Sequence, residues 1–335
     1  MKYRWGLICF GTLVALSAQK TMALGQIDNE AGWGFRLYLN LGYGSTKSQF
    51  DTDSDNAITG DLDSSGKKVN DTRLFPLGRL DYTLANLKTQ FFLGQSGENI
   101  VRGQSQVEVG FAHMLGEQEF LEVAYFPKLL DPGKTWEDPY VTGKKRKKTD
   151  QSVEGFRLRW ENAMDTPLTL RYGYASSDID DELSGDFLGL SHAQRSRLDR
   201  NGDYHRLSGE YRVFTSDTTK VTPILSYTRG NTDGRAVGYD GLRIGLEGSH
   251  VIQNRHATSI FLAYEHRKHL DSNPVFDKKQ KDNQFNITAS YSYIAPFGWE
   301  RARIIALAKY RRSTSNISFY ETKGAGISIG LGWEY

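Results

Sequence analysis

Cysteine is almost missing from this chain: of 335 residues only Cys9 is one. Beyond residue 9, then, disulfides, thiol catalysis and zinc–thiolate sites are all excluded. Net charge is nearly missing too, with 42 Lys and Arg against 40 Asp and Glu. That balance gives no footing for a nucleic-acid partner. Long apolar runs are lacking, and mean hydropathy is −0.54. A protein that crosses a membrane with helices needs runs of ~18 residues or more and is therefore excluded.

What is present begins at the amino end. Lys2 and Arg4 precede the uncharged run "WGLICFGTLVALSA", which leads to the small residues of Thr21-Met22-Ala23. Basic, then apolar, then cleavable is the pattern of a secretory signal. The expectation is a signal peptide over residues 1–23 and one domain over 24–335. Removing Lys2, Arg4 and Lys20 leaves 42 − 3 = 39 bases against 40 acids, a net charge of −1.

The remainder alternates. In "GWGFRLYLNLGYG", Trp33, Phe35, Leu37, Leu39, Leu41 and Tyr43 share one face of a strand, and Arg36, Tyr38, Asn40 and Gly42 share the other. The pattern recurs around Leu80, Phe91, Val109, Val123, Leu158, Tyr172, Tyr211, Leu225, Ile244, Leu262, Ile287 and Ala306, and ends at "GISIGLGWEY". That makes fourteen strands; twelve is the alternative, because the segments near 87–94 and 101–114 are the least regular. Connections alternate in length as well. Tight links such as "LAN" and "VIQNR" trade places with long ones at 45–73, 128–151, 177–203, 267–282 and 312–324. An even strand count, one apolar face per strand and loops long on one side only predict an all-β fold: a transmembrane antiparallel β-barrel with long extracellular loops and short periplasmic turns. Closure is required because hydrocarbon offers no partner to a free sheet edge. Pro76 and Pro223 are expected near strand starts.

The chain's ending, with Ile329, Leu331, Trp333 and Tyr335 on one face, resembles the assembly signal of bacterial outer-membrane barrels. The resemblance implies a Gram-negative outer-membrane location, contact with outer-membrane lipid and lipopolysaccharide, and recognition by the barrel-assembly machinery. A monomer is expected.

If the apolar faces meet lipid, the opposite faces line a lumen. The charged residues expected there are Arg36, Arg79, Lys88, Arg157, Arg159, Arg171, Arg206, Arg212, Arg243, Arg303 and Lys309, with Asp81, Glu108, Glu122, Glu210, Glu247 and Glu265. Eleven bases against six acids suit a water-filled channel that favours anions. The alternative is that these charges pair across the lumen and fill it. Tyr38, Phe92, Phe126 and Phe261 also face inward, too scattered for a sugar-stacking strip. Trp136, Glu137, Asp138 and Tyr140, in "WEDPYVTG", form a candidate constriction loop.

Other motifs are weaker. "KKRKK" at 144–148 reads as a solvated loop or as a contact for lipopolysaccharide phosphates or an anionic substrate. The acidic run from Asp51 to Asp63 lacks the Gly at its sixth place and the Glu at its twelfth that a calcium loop needs. His113 and Ser105 are too far apart for nucleophilic catalysis, and Asp203 with His205 is a lone pair. No enzyme, metal or cofactor is expected.

"WEDPYVTG" with "KKTD" at 147–150, "DIDDELSG" at 178–185, "LGLS" at 188–191, "LDRNGDYHR" at 198–206 and "SNISFYE" at 315–321 resemble a Gram-negative family known as domain of unknown function 2860. The resemblance covers nearly the whole chain after the signal. It implies barrel architecture and outer-membrane location, and it carries no activity. The expected function is an outer-membrane channel for passive uptake of small hydrophilic solutes, anions included. The alternative is a non-conducting, loop-plugged barrel with a surface-interaction or envelope-structural role.

Overall fold

The computed structural model describes residues 27–96, 106–128 and 133–335; the expected signal peptide lies outside them. Fourteen strands form the wall: β1 Gly32–Lys47, β2 Lys68–Thr83, β3 Thr89–Ser96, β4 Gln106–Met114, β5 Phe120–Phe126, β6 Lys148–Glu161 and β7 Leu168–Ile179 make the first half. The second half is β8 Gly202–Tyr211, β9 Thr219–Thr232, β10 Tyr239–Ile252, β11 His256–Asn273, β12 Lys278–Ile294, β13 Ala302–Ser315 and β14 Thr322–Glu334. Each pairs antiparallel with its sequence neighbours, and β14 pairs with β1, so the sheet closes. Two short strands lie off this ring. Gly133–Trp136 pairs with the start of β6, and Phe214–Thr215 pairs with β9.

Alternation fixes the two faces. Along β1 every second residue from Trp33 to Tyr43 is exposed, and the residues between are half-buried or buried. The last strand matches it, with Leu37 opposite Trp333, Leu39 opposite Leu331 and Leu41 opposite Ile329. The backbones of Phe35 and Tyr335 exchange two hydrogen bonds of 2.8 Å, so the final residue helps to close the ring. Exposed apolar residues continue around the circumference, among them Leu80, Phe91, Val109, Leu158, Leu225, Ile244 and Ile260. A closed sheet that turns such a belt outward has hydrocarbon as its natural complement.

Aromatic residues bound the belt. At the loop end, outer tyrosine hydroxyls donate to acceptors on the next strand: Tyr125 to Glu154 at 3.3 Å, Tyr174 to Asp203 at 2.8 Å and Tyr264 to Asn283 at 2.8 Å. At the turn end, Trp33 packs on Tyr82 with centroids 4.8 Å apart, and the Arg301 guanidinium lies 4.2 Å from the Tyr335 ring centre. Trp33 to Tyr43 is ten residues, or ~34 Å along the strand; a tilt of ~40° reduces that to ~26 Å, the height of an outer-membrane apolar band.

The prolines are placed differently from expectation. Pro76 is in the middle of β2, opposite Leu39. Among the described residues Pro76 is paired with β1, and the β2–β3 ladder ends at Arg79 opposite Gly94. Pro223 pairs with Leu246 of β10, while the β9–β8 ladder starts one residue later at Ile224. Pro223 thus lacks its donor where the ladder to β8 has not yet begun. The segment 267–282 is also not a long loop. β11 and β12 run out to Asn273 and back from Lys278, with a register irregularity between Lys268 and Ser272.

The inner face is fitted by ring against glycine. A Cβ on Gly332 would stand 2.2 Å from the Tyr38 ring, and one on Gly155 would stand 2.7 Å from the Phe126 ring and 2.0 Å from the Tyr174 carbonyl oxygen. Phe92 lies over Gly110 and Phe261 over Gly245 in the same manner. The inward aromatics are therefore laid flat on neighbouring strands, where they cover backbone left bare by glycine. That is why they do not form a continuous strip.

Candidate functional site

The inner wall carries most of the expected charged residues, held in pairs. Near the turn end Asp81 accepts from both Arg36 and Arg79, the latter at 2.7 Å. Tyr38 donates to Glu334, and Arg303 approaches the same carboxylate at 3.4 Å. Arg157 of β6 reaches Glu108 of β4 at 2.6 Å and Glu122 of β5 at 2.8 Å. Arg171 pairs with Glu210 at 2.9 Å, and Arg159 pairs with Glu161 at 2.5 Å. On β10 and β11, Glu265 lies between Arg243 and Arg267, each at 2.5 Å. Arg206 donates to Thr228 at 3.0 Å beside this group. Glu247 is on β10 opposite Phe261, and Lys309 is on β13 opposite Thr288.

Two of the expected lumen residues are elsewhere. Lys88 is exposed in the turn 84–88, before β3 begins at Thr89. Arg212 follows the end of β8 and donates to Asn162 at the turn-side rim. In both cases the strand is shorter than the alternation suggested. Conversely Arg267, His269 and Asp282 are buried on β11 and β12, beyond the stretch of clear alternation. Continuing the period of two beyond Glu265 finds Arg267 and His269, and running it back from Asn286 finds Asp282. Glu334, on the polar face of the last strand, balances Arg303. The pairing removes much of the simple excess of bases.

The loop end is covered. Tyr140, Leu198, Ala236, Ile317 and Phe319 form one buried apolar cluster, against which Phe50, Leu62, Leu190, Val275, Phe276 and Tyr320 pack. These residues come from six of the loop-side connections: β1–β2, β5–β6, β7–β8, β9–β10, β11–β12 and β13–β14. Tyr140 and Phe319 belong to connections nearly opposite each other on the ring, yet their rings stack at 5.3 Å. The Tyr140 and Tyr320 hydroxyls are 2.6 Å apart, and Asn273 donates to Tyr320 at 2.7 Å. The cluster therefore bridges the mouth instead of lining one side of it. Burial holds both phenols above the ordinary tyrosine range.

The candidate constriction residues are all in this cap. Trp136 is 0% exposed and Tyr140 3%. Trp136 Nε1 donates to the Gln49 carbonyl at 3.0 Å. Asp138 accepts from the amides of Tyr140, Gly185 and Phe187 at 2.9, 3.1 and 2.9 Å, tying the β5–β6 connection to β7–β8. Glu137 pairs with Lys147 at 2.6 Å. Arg200 donates to the carbonyls of Trp136 and Glu137 at 2.7 and 3.1 Å and to Glu182 at 2.6 Å.

The basic run is not wholly solvated. Arg146 is 2% exposed. Its guanidinium donates to the carbonyls of Gln49 at 2.8 Å, Pro139 at 3.3 Å and Asn56, and lies 4.5 Å from the Trp136 ring centre. Burial without a countercharge pushes it down to about 10. Lys144, Lys145, Lys147 and Lys148 around it are exposed. Of the remaining candidates, His113 Nδ1 is 2.9 Å from Thr89 Oγ1, with Ser105 outside the described residues, and Asp203 and His205 each meet an outer tyrosine at 2.8 Å.

The chain is similar to several solved barrels. It covers 89% of itself and 98% of a bacterial polysaccharide outer membrane secretin, at 10% identity and a TM-score of 0.47. For the CymD monoaromatic hydrocarbon channel the coverages are 91% and 89%, with 9% identity and a TM-score of 0.47. For the outer membrane channel DcaP of Acinetobacter baumannii they are 93% and 100%, with 12% identity and a TM-score of 0.44. No curated protein matches the sequence. A family match spans residues 32–334, the whole barrel from the first strand to the last, and the chain belongs to the family described as "Protein of unknown function (DUF2860)".

Proposed function

We propose that the protein is an outer-membrane barrel that acts as a capped, passive channel for small hydrophilic solutes. The observation that carries this reading is the opposition of the two faces: an exposed apolar belt outside and guanidinium and carboxylate groups inside. An ionised inner wall holds water, and a hydrated interior is a path for polar solutes but not for lipid. Three guanidiniums, those of Arg206, Arg243 and Arg267, stand near two carboxylates, Glu265 and the Asp282 opposite Arg267, and this excess of one base supports a bias toward anions on that side of the lumen. In this reading the barrel stands as a monomer. Ile329, Leu331, Trp333 and Tyr335 present the signal read by the assembly machinery, and the outer loops meet lipopolysaccharide.

A second reading has an observation of its own. The Tyr140–Phe319 stack across the mouth favours a plugged, non-conducting barrel with a surface or structural role. Liposome swelling separates the two. Refolded protein in vesicles should admit small sugars and small organic acids, the acids faster at equal size. Vesicles that exclude every solute, both with the native cap and after Tyr140→Ala/Phe319→Ala, would leave the second reading standing.

A further inference from the structure

Beside the cap, the β1–β2 and β5–β6 connections enclose a pocket of about 390 Å³ lined by Ser54, Ala57, Lys145, Arg146, Lys147 and Lys148. None of the lining residues is acidic. Arg146 is the cation at its base, nearly fully buried, and its hydrogen bonds go to carbonyl oxygens and the Gln49 side chain. Among the described residues no carboxylate comes within ion-pair distance of it, and its Nε has no hydrogen-bond partner. A buried guanidinium with a free N–H and no countercharge is costly to maintain in a protein. Lys147 is neutralised by Glu137 at 2.6 Å. Lys145 and Lys148 have no carboxylate partner among the described residues, and the Lys148 ammonium stands 5.7 Å over the Trp136 ring.

The frame is rigid. Arg146 N donates to the Ala57 carbonyl at 2.8 Å and Gly143 N to that of Thr59 at 2.9 Å, joining the two connections as a ladder would. Asn56 donates to the Ser48 and Asp51 carbonyls at 2.9 and 2.7 Å, which fixes the opposite wall. Pocket and uncompensated cation are therefore organised before any ligand arrives, with two exposed ammonium groups at the rim.

We propose that this pocket binds a phosphate group, with Arg146 at its floor and Lys145 and Lys148 at its rim. The group would belong either to a lipid headgroup of the surrounding leaflet or to a free solute. This site goes beyond the channel reading and does not depend on whether the lumen conducts.

The test is titration of the refolded full-length protein with inorganic phosphate by calorimetry. In parallel, capture of bisphosphorylated lipid A is compared with that of the same lipid stripped of phosphate, in detergent. The variant is Lys145→Ala/Lys148→Ala, whose exposed side chains leave the barrel intact, as heat-modifiable migration will show. Loss of two charge-assisted contacts should weaken binding by about tenfold or more. Inorganic phosphate bound at one per chain and weakened in the variant supports the site with a free source. Phosphate-dependent lipid A capture weakened in the variant, with no response to inorganic phosphate, supports it with a lipid source. Equal behaviour of wild type and variant toward both probes would overturn it.

Discussion

Truncation of one ring should open the cap while leaving the wall intact. Tyr140 is buried, stacks on Phe319 at 5.3 Å, meets Phe276 at 6.2 Å and places its hydroxyl 2.6 Å from that of Tyr320. Replacing a buried aromatic with alanine costs about 3–5 kcal/mol. The cap is a loop assembly that can relax, so the lower end applies. At about 1.4 kcal/mol per factor of ten, ~3 kcal/mol shifts the closed-to-open ratio by roughly 10²-fold. Tyr140→Phe removes only the hydroxyl, a loss of about 1 kcal/mol or roughly fivefold. The assay is hydrogen exchange at amides that bind across loops: Gly143 to Thr59, Arg146 to Ala57 and Leu183 to Glu137. Tyr140→Ala should speed their exchange roughly 10²-fold and Tyr140→Phe about fivefold, with amides of β12 and β13 unchanged. Equal exchange in wild type and Tyr140→Ala would refute the idea that one aromatic cluster holds the cap.

Three further perturbations follow from the same geometry. The Tyr140 and Tyr320 phenols are held above their usual value of 10.0, so their neutral forms favour the closed cap; that stability is complete below pH ~10 and is lost as pH rises further, so exchange at the cap amides should accelerate in alkali, and less so in Tyr140→Phe/Tyr320→Phe. Gly155→Ala would bring a methyl 2.0 Å from the Tyr174 carbonyl oxygen, where backbone must shift; urea unfolding of the refolded barrel should show a loss of about 1–3 kcal/mol. Arg157→Ala leaves Glu108 and Glu122 facing each other without their shared cation, a loss of about 3–5 kcal/mol by the same unfolding measurement; adding Glu108→Gln and Glu122→Gln should recover most of it, and failure to recover would show that packing of the Arg157 stem dominates.

The wall was legible in the sequence because a strand writes its two faces into alternate positions. Trp33 to Tyr43 and Ile327 to Tyr335 stated their faces without any structural knowledge, and the fourteen strands follow from repeating that reading. Boundaries were less legible. Lys88 and Arg212 continue an alternation that their strands do not, and β11 and β12 extend beyond the apparent end of theirs. Pairing across strands needs register, which no single strand contains. Hence the laying of Tyr38 on Gly332 and of Phe126 on Gly155 is hidden, although alternation alone puts each ring on the inner face. The cap was hidden more deeply. Tyr140, Leu198, Ala236, Ile317 and Phe319 come from four separate irregular segments with no period to connect them. Arg146 was masked by its neighbours: within "KKRKK" it is the only guanidinium, and the planar fork of donors that binds several carbonyls at once is what allows it, and not a lysine, to be buried.

The central claim is a hydrated, charged lumen under a closable cap, and single-channel recording tests it most directly. Refolded wild type and Tyr140→Ala/Phe319→Ala are placed in planar bilayers under a salt gradient. The account predicts brief, infrequent steps for the wild type and long-lived steps of larger amplitude for the variant, with a reversal potential on the anion side. A variant that remains silent while its barrel stays folded and heat-modifiable would contradict it.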